Sequence, residues 1–143
     1  QFPKDDRFDF EWHQESGSYT GFSKVLSVWF PILNNVNKKN GSVSFIPSTH
    51  KNGTRKTHYV RKPSGLNDWR VKINEKESNN IVIAEMSPCD ALLFDSDLVH
   101  KSVLNKSDQI RITGIVRSLD ICSQKNLNVI AEQVNMEEPR HQK

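Results

Sequence analysis

An all-β sandwich or barrel of the jelly-roll kind is the fold class this sequence predicts, and three observations predict it. About seven short apolar runs follow one another, several with the strict polar–apolar alternation of a half-buried strand. Turn signals rich in Gly, Pro and Asn separate them. No stretch before residue 124 carries a convincing helical period. A closed or double-sheet arrangement removes the open strand edges that such a set would otherwise leave, and it brings the ends of distant strands to one mouth. At 143 residues the chain has the size of one domain with a single core.

The elements follow in order. Residues 7–12 (Arg-Phe-Asp-Phe-Glu-Trp) alternate and are expected to form a half-buried strand ending at His13, with residues 16–22 as a glycine-containing loop. Residues 24–33 form a strong strand, apolar on both faces, that ends near Pro31. Residues 34–41 turn, with Asn40-Gly41 as the tight-turn signal, and residues 42–46 alternate again up to Pro47. The next thirty-odd residues are polar, basic and irregular, with Pro63, Gly65 and one aromatic anchor, Trp69. A long insertion of this kind is expected to be functional or mobile. Strands are expected at 80–86, at 91–95 after the turn Pro88-Cys89-Asp90, at 97–103 and at 110–117 after a turn at 105–109. Residues 1–123 are thus expected to form the core and 124–143 a C-terminal tail. In that tail Leu127, Ile130, Ala131 and Val134 have the spacing of a turn or two of amphipathic helix.

Composition narrows the function classes. A net charge of +3 with scattered basic residues, loosely clustered only at 51–62, argues for a solvated loop rather than a nucleic-acid surface. No apolar run approaches the ~18–20 residues needed to span a membrane, and no signal peptide is visible. The two cysteines, Cys89 and Cys122, have no metal-binding spacing and are expected to be free thiols of a cytoplasmic, reducing compartment.

The chemistry concentrates at His13-Gln14-Glu15. At the end of a strand, residues i and i+2 point to the same side, so an imidazole and a carboxylate can grip one ion. The third candidate ligand is His100, in Leu98-Val99-His100-Lys101-Ser102-Val103. Two histidines and one carboxylate on one face of an ion, with the other face open, is the arrangement of non-heme Fe(II) oxygenases. Eleven residues beyond His100 stands Arg111, at the start of the last expected strand, sharing a face with Thr113, Ile115 and Arg117. An arginine aimed into a barrel needs an anion, and its planar fork suits a carboxylate. A dicarboxylate cosubstrate would chelate the metal at one end and meet Arg111 at the other, with Arg117 as the alternative clamp.

The segments Trp12-His13-Gln14-Glu15-Ser16-Gly17, Val28-Trp29-Phe30-Pro31-Ile32, Asn40-Gly41-Ser42-Val43-Ser44-Phe45-Ile46-Pro47-Ser48-Thr49-His50-Lys51, Asp90-Ala91-Leu92-Leu93-Phe94 and His100-Lys101-Ser102 with Arg111 occur in one order over residues 12–117. Together they resemble the phytanoyl-CoA dioxygenase family of Fe(II)/2-oxoglutarate oxygenases. The resemblance implies a double-stranded β-helix core, cupin-like, with His13, Glu15 and His100 as iron ligands. It implies Arg111 with Ser102 on the far carboxylate of 2-oxoglutarate, and Trp29 in the wall of the cosubstrate pocket. Tyr19, in the loop after the metal motif, is a further candidate for contact with cosubstrate or substrate. The family usually has Asp where this chain has Glu15, and glycines where it has Ser48 and Cys89. Family members also carry well over a hundred residues before the metal motif, whereas twelve precede His13 here. The expectation is either that this is a core fragment, or that the missing part belongs to another segment or chain, a homo-oligomer being one form of the latter.

The function expected from this pattern is hydroxylation of a small organic molecule with Fe(II), 2-oxoglutarate and O2, releasing succinate and CO2, without nucleic-acid or membrane partners. The carboxylate of Glu15 argues against the halogenating variation, which needs an open position for chloride there. Two rivals are a cupin-like metal enzyme with no use for a ketoacid and a non-catalytic β-sandwich binding module. The identity of the primary substrate is not legible in the residues.

Overall fold

The computed structural model describes residues 1–7, 9–17, 25–62, 65 and 67–119. Two antiparallel three-stranded sheets carry the architecture. In the larger, β1 (Val25–Pro31) lies between β6 (Leu92–Asp95) and β8 (Thr113–Leu119), with Trp29 opposite Leu92 on one side and Ile115 on the other. In the smaller, β2 (Val43–Phe45) lies between β5 (Val82–Ile83) and β7 (His100–Ser102). Strands adjacent in space are distant in sequence, as a jelly roll requires, and the sheets face each other without closing into a barrel.

Trp29, Val36, Val43, Phe94 and Leu98 are buried between the sheets, with Phe45, Met86 and Leu92 packed against them. The β1 alternation explains this. Val25, Ser27 and Trp29 point inward and are buried, whereas Leu26 is exposed. A smaller cluster of Ile46, Val71 and Val99, with Trp12 and Ile73, sits where the metal motif meets the long insertion.

Several expectations are corrected. Residues 7–12 form no regular strand among the described residues. Their backbone instead runs along the free edge of β7 through isolated bonds, Ser102 N–H to Phe10 carbonyl (2.9 Å) and a reciprocal His13–His100 pair (2.9 and 3.0 Å). The expected strand at 80–86 shrinks to β5 plus the single pair Val36–Met86. The insertion is not irregular: β3 (His58–Arg61) and β4 (Asn67–Arg70) make a hairpin with Tyr59 opposite Trp69, ring centroids 5.1 Å apart. A one-turn helix, α1 (Glu75–Ser78), follows, closed by a reciprocal capping box between Asn74 and Glu77. The last strand begins at Thr113, not 110, because the backbone of Arg111 is engaged elsewhere. Its N–H donates to the Gln1 carbonyl (3.0 Å) and its carbonyl accepts from the Gln1 nitrogen (2.6 Å).

Among the described residues neither β6 nor β8 has a strand on the side away from β1. Leu93 and Val116, both directly opposite Val28, are more than half exposed on the outer face of that sheet. Cys89 is a free, exposed thiol. Cys122, Tyr19 and the tail 124–143 lie outside the described residues.

Candidate metal centre

His100 stands on β7, the middle of a layer flanked by β2 on one side and residues 10–13 on the other. His13 is opposite His100 across that second edge, so the backbone pairing itself brings the imidazoles together, ring centroids 4.2 Å apart. After His13 the chain leaves the edge, and Glu15 opens a single 3₁₀ turn, Glu15–Gly17, pinned by Ser16 N–H to the Ser96 carbonyl (3.1 Å). Ligand atoms of His13, Glu15 and His100 all lie within 4.8 Å of one another, the spacing from which a first-row divalent ion can be gripped. His100 and Glu15 are buried, and His13 is partly so.

The histidines are oriented for ligation. Nδ1 of His13 is 2.7 Å from the Glu11 carbonyl and Nδ1 of His100 is 2.9 Å from the Leu98 carbonyl. A carbonyl only accepts, so each Nδ1 carries the proton and each Nε2 presents its lone pair to the shared space. Burial, reinforced by the neighbouring His100, lowers the His13 pKa to about 4, which keeps it neutral and ligand-ready at neutral pH. Burial alone would raise the Glu15 pKa, but the approach of His100 and the Arg117 guanidinium outweighs it and lowers the carboxyl to about 2. His100 Nε2 is 3.7 Å from Glu15 Oε1, an electrostatic contact beyond hydrogen-bond reach. The donor set therefore fits a metal: two imidazoles and one carboxylate, facing one another on one side.

Gln14, between the ligands, points the opposite way and is fully buried. Its amide donates to the carbonyls of Gly53 (3.1 Å) and Asp97 (2.6 Å), and its carbonyl accepts from Arg55 N–H (2.7 Å). Sequence reasoning gives Gln14 no role. The signal was available, because strand parity sends a polar residue between two ligands into the protein, where its amide must find partners.

The two arginines differ sharply. Arg117 grips Glu15 with both arms of its fork, Nε to Oε2 (3.2 Å) and Nη2 to Oε1 (2.8 Å). Arg111 lies with its guanidinium carbon 5.8 Å from the Trp29 ring centroid, and its Nε and Nη1 are buried without a hydrogen-bond partner. Burial pushes its pKa down. Gly41 makes room for it: a Cβ there would stand 2.9 Å from Arg111 Nη1 and 2.7 Å from the Val103 carbonyl oxygen. Trp29 is thus both core and floor beneath Arg111. Ser102 lies opposite Val43, half-buried, on the His100 face of β7.

Comparison with known proteins places these features in context. The family model described as "Phytanoyl-CoA dioxygenase (PhyH)" matches residues 3–113. The "Phytanoyl-CoA dioxygenase domain-containing protein 1" of Danio rerio is 31% identical over 91 residues, 62% of this chain and 31% of that protein. Among solved structures, EvdO2 from Micromonospora carbonacea var. aurantiaca superposes with a TM-score of 0.65 at 18% identity, over 82% of this chain and 46% of that one. Its complex with 2-oxoglutarate gives 0.64 at 19%, covering 81% and 46%. EctD from S. alaskensis, with 2-oxoglutarate and 5-hydroxyectoine, gives 0.51 at 20%, covering 76% and 37%. At these identities the superpositions speak to the fold. The chain spans between about a third and a half of the length of these relatives.

Proposed function

The chain belongs to the phytanoyl-CoA dioxygenase family, and from that premise we propose that it is the core of an Fe(II)- and 2-oxoglutarate-dependent oxygenase acting on a small organic substrate. The observation that carries the reading is a pair of complementary sites. One is a convergent His13–Glu15–His100 set with both imidazoles tied back through Nδ1. The other is Arg111 over Trp29, with Nε and Nη1 buried and without partners.

His13, Glu15 and His100 would hold the iron and leave its opposite face open. With 2-oxoglutarate and O2 the bound metal supplies the oxidising chemistry, hydroxylating substrate and releasing succinate and CO2. The protein's own residues bind, orient and exclude water. Arg111 would receive the far carboxylate of the ketoacid in a bidentate pair, and either side of its fork that can make one, Nε with Nη2 or Nη1 with Nη2, includes a nitrogen that is buried without a partner. Trp29 would wall that carboxylate, with Ser102 nearby on the β7 face. Phe94, whose ring centroid is 4.8 Å from that of His100, keeps the metal side apolar. Tyr19 belongs to the proposal as a contact from the loop beyond the ligands. A cupin-like enzyme without a ketoacid has no use for a buried cation at Arg111, which favours the 2-oxoglutarate reading. A cytoplasmic, reducing setting is part of the same proposal, supported by the free thiol of Cys89.

Anaerobic titration with Fe(II), then with 2-oxoglutarate, tests this. One equivalent of each should bind, the second only weakly without the first. No ketoacid binding to the metal-loaded chain would remove 2-oxoglutarate from the assignment, and no metal binding would remove the whole reading.

A further inference from the structure

Arg117 is the charged group in closest contact with a candidate ligand, and the family resemblance assigns it no role. It stands on β8 opposite the fully buried Ser27. From there it reaches inward to Glu15, 102 residues away in sequence, and holds both carboxylate oxygens. The Glu15 side chain is only 10% exposed and that of Arg117 30%.

We infer that Arg117 is a positioning residue that fixes the Glu15 carboxylate for metal binding, and that Glu15 and Arg117 form a matched pair in which the longer acid is the partner of the arginine. The inference rests on the metal reading above.

The geometry carries it as follows. Oε1 is the oxygen that faces His100, at 3.7 Å, and is the one placed to bind a metal shared with that histidine. Arg117 holds Oε2 through Nε at 3.2 Å and Oε1 through Nη2 at 2.8 Å, so a metal at Oε1 would share that oxygen with one arm of the fork while the other arm keeps Oε2. The carboxylate would then serve as a one-oxygen ligand. A glutamate needs such a hold more than an aspartate does, because its extra rotatable bond adds conformers that are lost on ligation. Shortening the acid by one methylene would withdraw the carboxylate by about 1.5 Å, one carbon–carbon bond. The 2.8 and 3.2 Å contacts would then stretch beyond hydrogen-bond range.

Arginine beside a metal site can act in two ways of opposite sign. As a bare positive charge it repels the cation, and its removal tightens binding. As an orienting partner it organises the ligand, and its removal weakens binding. Arg117 contacts water and is partly screened, whereas the acid it holds is buried. Orientation therefore outweighs repulsion.

The test is anaerobic Co(II) titration of the full chain, followed by visible absorption, on a double-mutant cycle of Arg117→Met and Glu15→Asp. Arg117→Met in the wild-type background should weaken Co(II) binding about 10- to 100-fold, the usual cost of losing an outer-shell partner, and should alter the ligand-field spectrum of the saturated site. In the Glu15→Asp background, where the fork no longer reaches, the same change should alter affinity by about twofold or less. Arg117→Lys should recover part of the loss. If Arg117→Met does not fold by circular dichroism, Arg117→Lys and Arg117→Gln carry the cycle instead. Binding unchanged or tightened by Arg117→Met, or an equal loss in both backgrounds, overturns the inference while leaving the metal site intact. Absence of Co(II) binding to wild type, indistinguishable from His13→Ala, overturns the metal reading and the inference with it.

Discussion

Arg111 and Arg117 leave the same region of the chain, six positions apart, and end in opposite states. Arg117 is satisfied: its fork closes on Glu15, one charge against one charge, with an edge toward water. Arg111 is unsatisfied: two of its nitrogens are buried without partners above Trp29, in space that Gly41 keeps clear. A protein does not keep a buried cation unmatched without cost. The contrast teaches that an arginine's role follows from what its fork lacks rather than from where it sits on a strand. On the readings proposed above, the satisfied one would organise a metal ligand and the unmatched one would receive an anion.

The strongest way to break this comparison is to truncate the unmatched arginine. Arg111→Ala should raise the 2-oxoglutarate dissociation constant by roughly 30- to 1000-fold, the ~2–4 kcal/mol of a shielded charge pair, with metal affinity little changed. Arg111→Lys should rescue in part. Calorimetric titration of the metal-loaded variants decides, and a normal ketoacid affinity for Arg111→Ala would reassign the clamp.

Acid should separate the two ends next. His13 has a folded pKa of about 4 against an ordinary 6.5, so the unfolded chain takes up the proton first. Its contribution is complete above pH 6.5 and is lost as pH falls through 4. Glu15, lowered to about 2, contributes fully above its ordinary 4.5 and loses that contribution as pH falls toward 2. The metal-free protein should therefore lose stability in two successive limbs below pH 6.5, each worth up to roughly 3 kcal/mol. Denaturant melts across pH should show His13→Gln removing the upper limb and Arg117→Met shrinking the lower one. Arg111→Ala should leave both in place.

A smaller effect comes from the floor of the Arg111 end. Gly41 has φ +90°, and a Cβ would press on Arg111 Nη1 and the Val103 carbonyl. Gly41→Ala should cost about 1–2 kcal/mol of stability and weaken 2-oxoglutarate binding about tenfold, while Co(II) affinity holds. Equal damage to both affinities would mean that the two ends are not independent.

The smallest effect serves as a control remote from both arginines. Ser48 and Cys89, where the family usually has glycine, do adopt the left-handed backbone, φ 66° and 85°. Replacing either with Gly should stabilise by about 1 kcal/mol, a rise of a few degrees in Tm, with neither affinity altered.

The convergence of His13, Glu15 and His100 was legible because it depends on local parity and on one backbone pairing across the edge of β7. A His-x-Glu at the end of a strand needs only a second histidine across the edge, and His100 has the apolar neighbours of a buried strand. Strands β1, β2, β6, β7 and β8 were legible as short apolar runs between turn signals. The hairpin β3–β4 was not, because its strands carry mostly polar side chains and owe their pairing to one aromatic contact, Tyr59 with Trp69. The capping box at Asn74 and Glu77 was legible and went unread. The grip of Arg117 on Glu15 was beyond reach of the sequence. Parity puts Arg111 and Arg117 on one face, and only the depth of each along the sheet decides which meets the acid.

The single amide of Gln14 ties together segments 39, 41 and 83 residues away. Contacts of such long sequence separation form late, after much loop entropy has been lost. During synthesis His13 emerges almost ninety residues before His100, and nothing local can hold it in place. The three side chains thus come together only when His100 has emerged, which would make metal uptake an event of the finished fold and not of the growing chain.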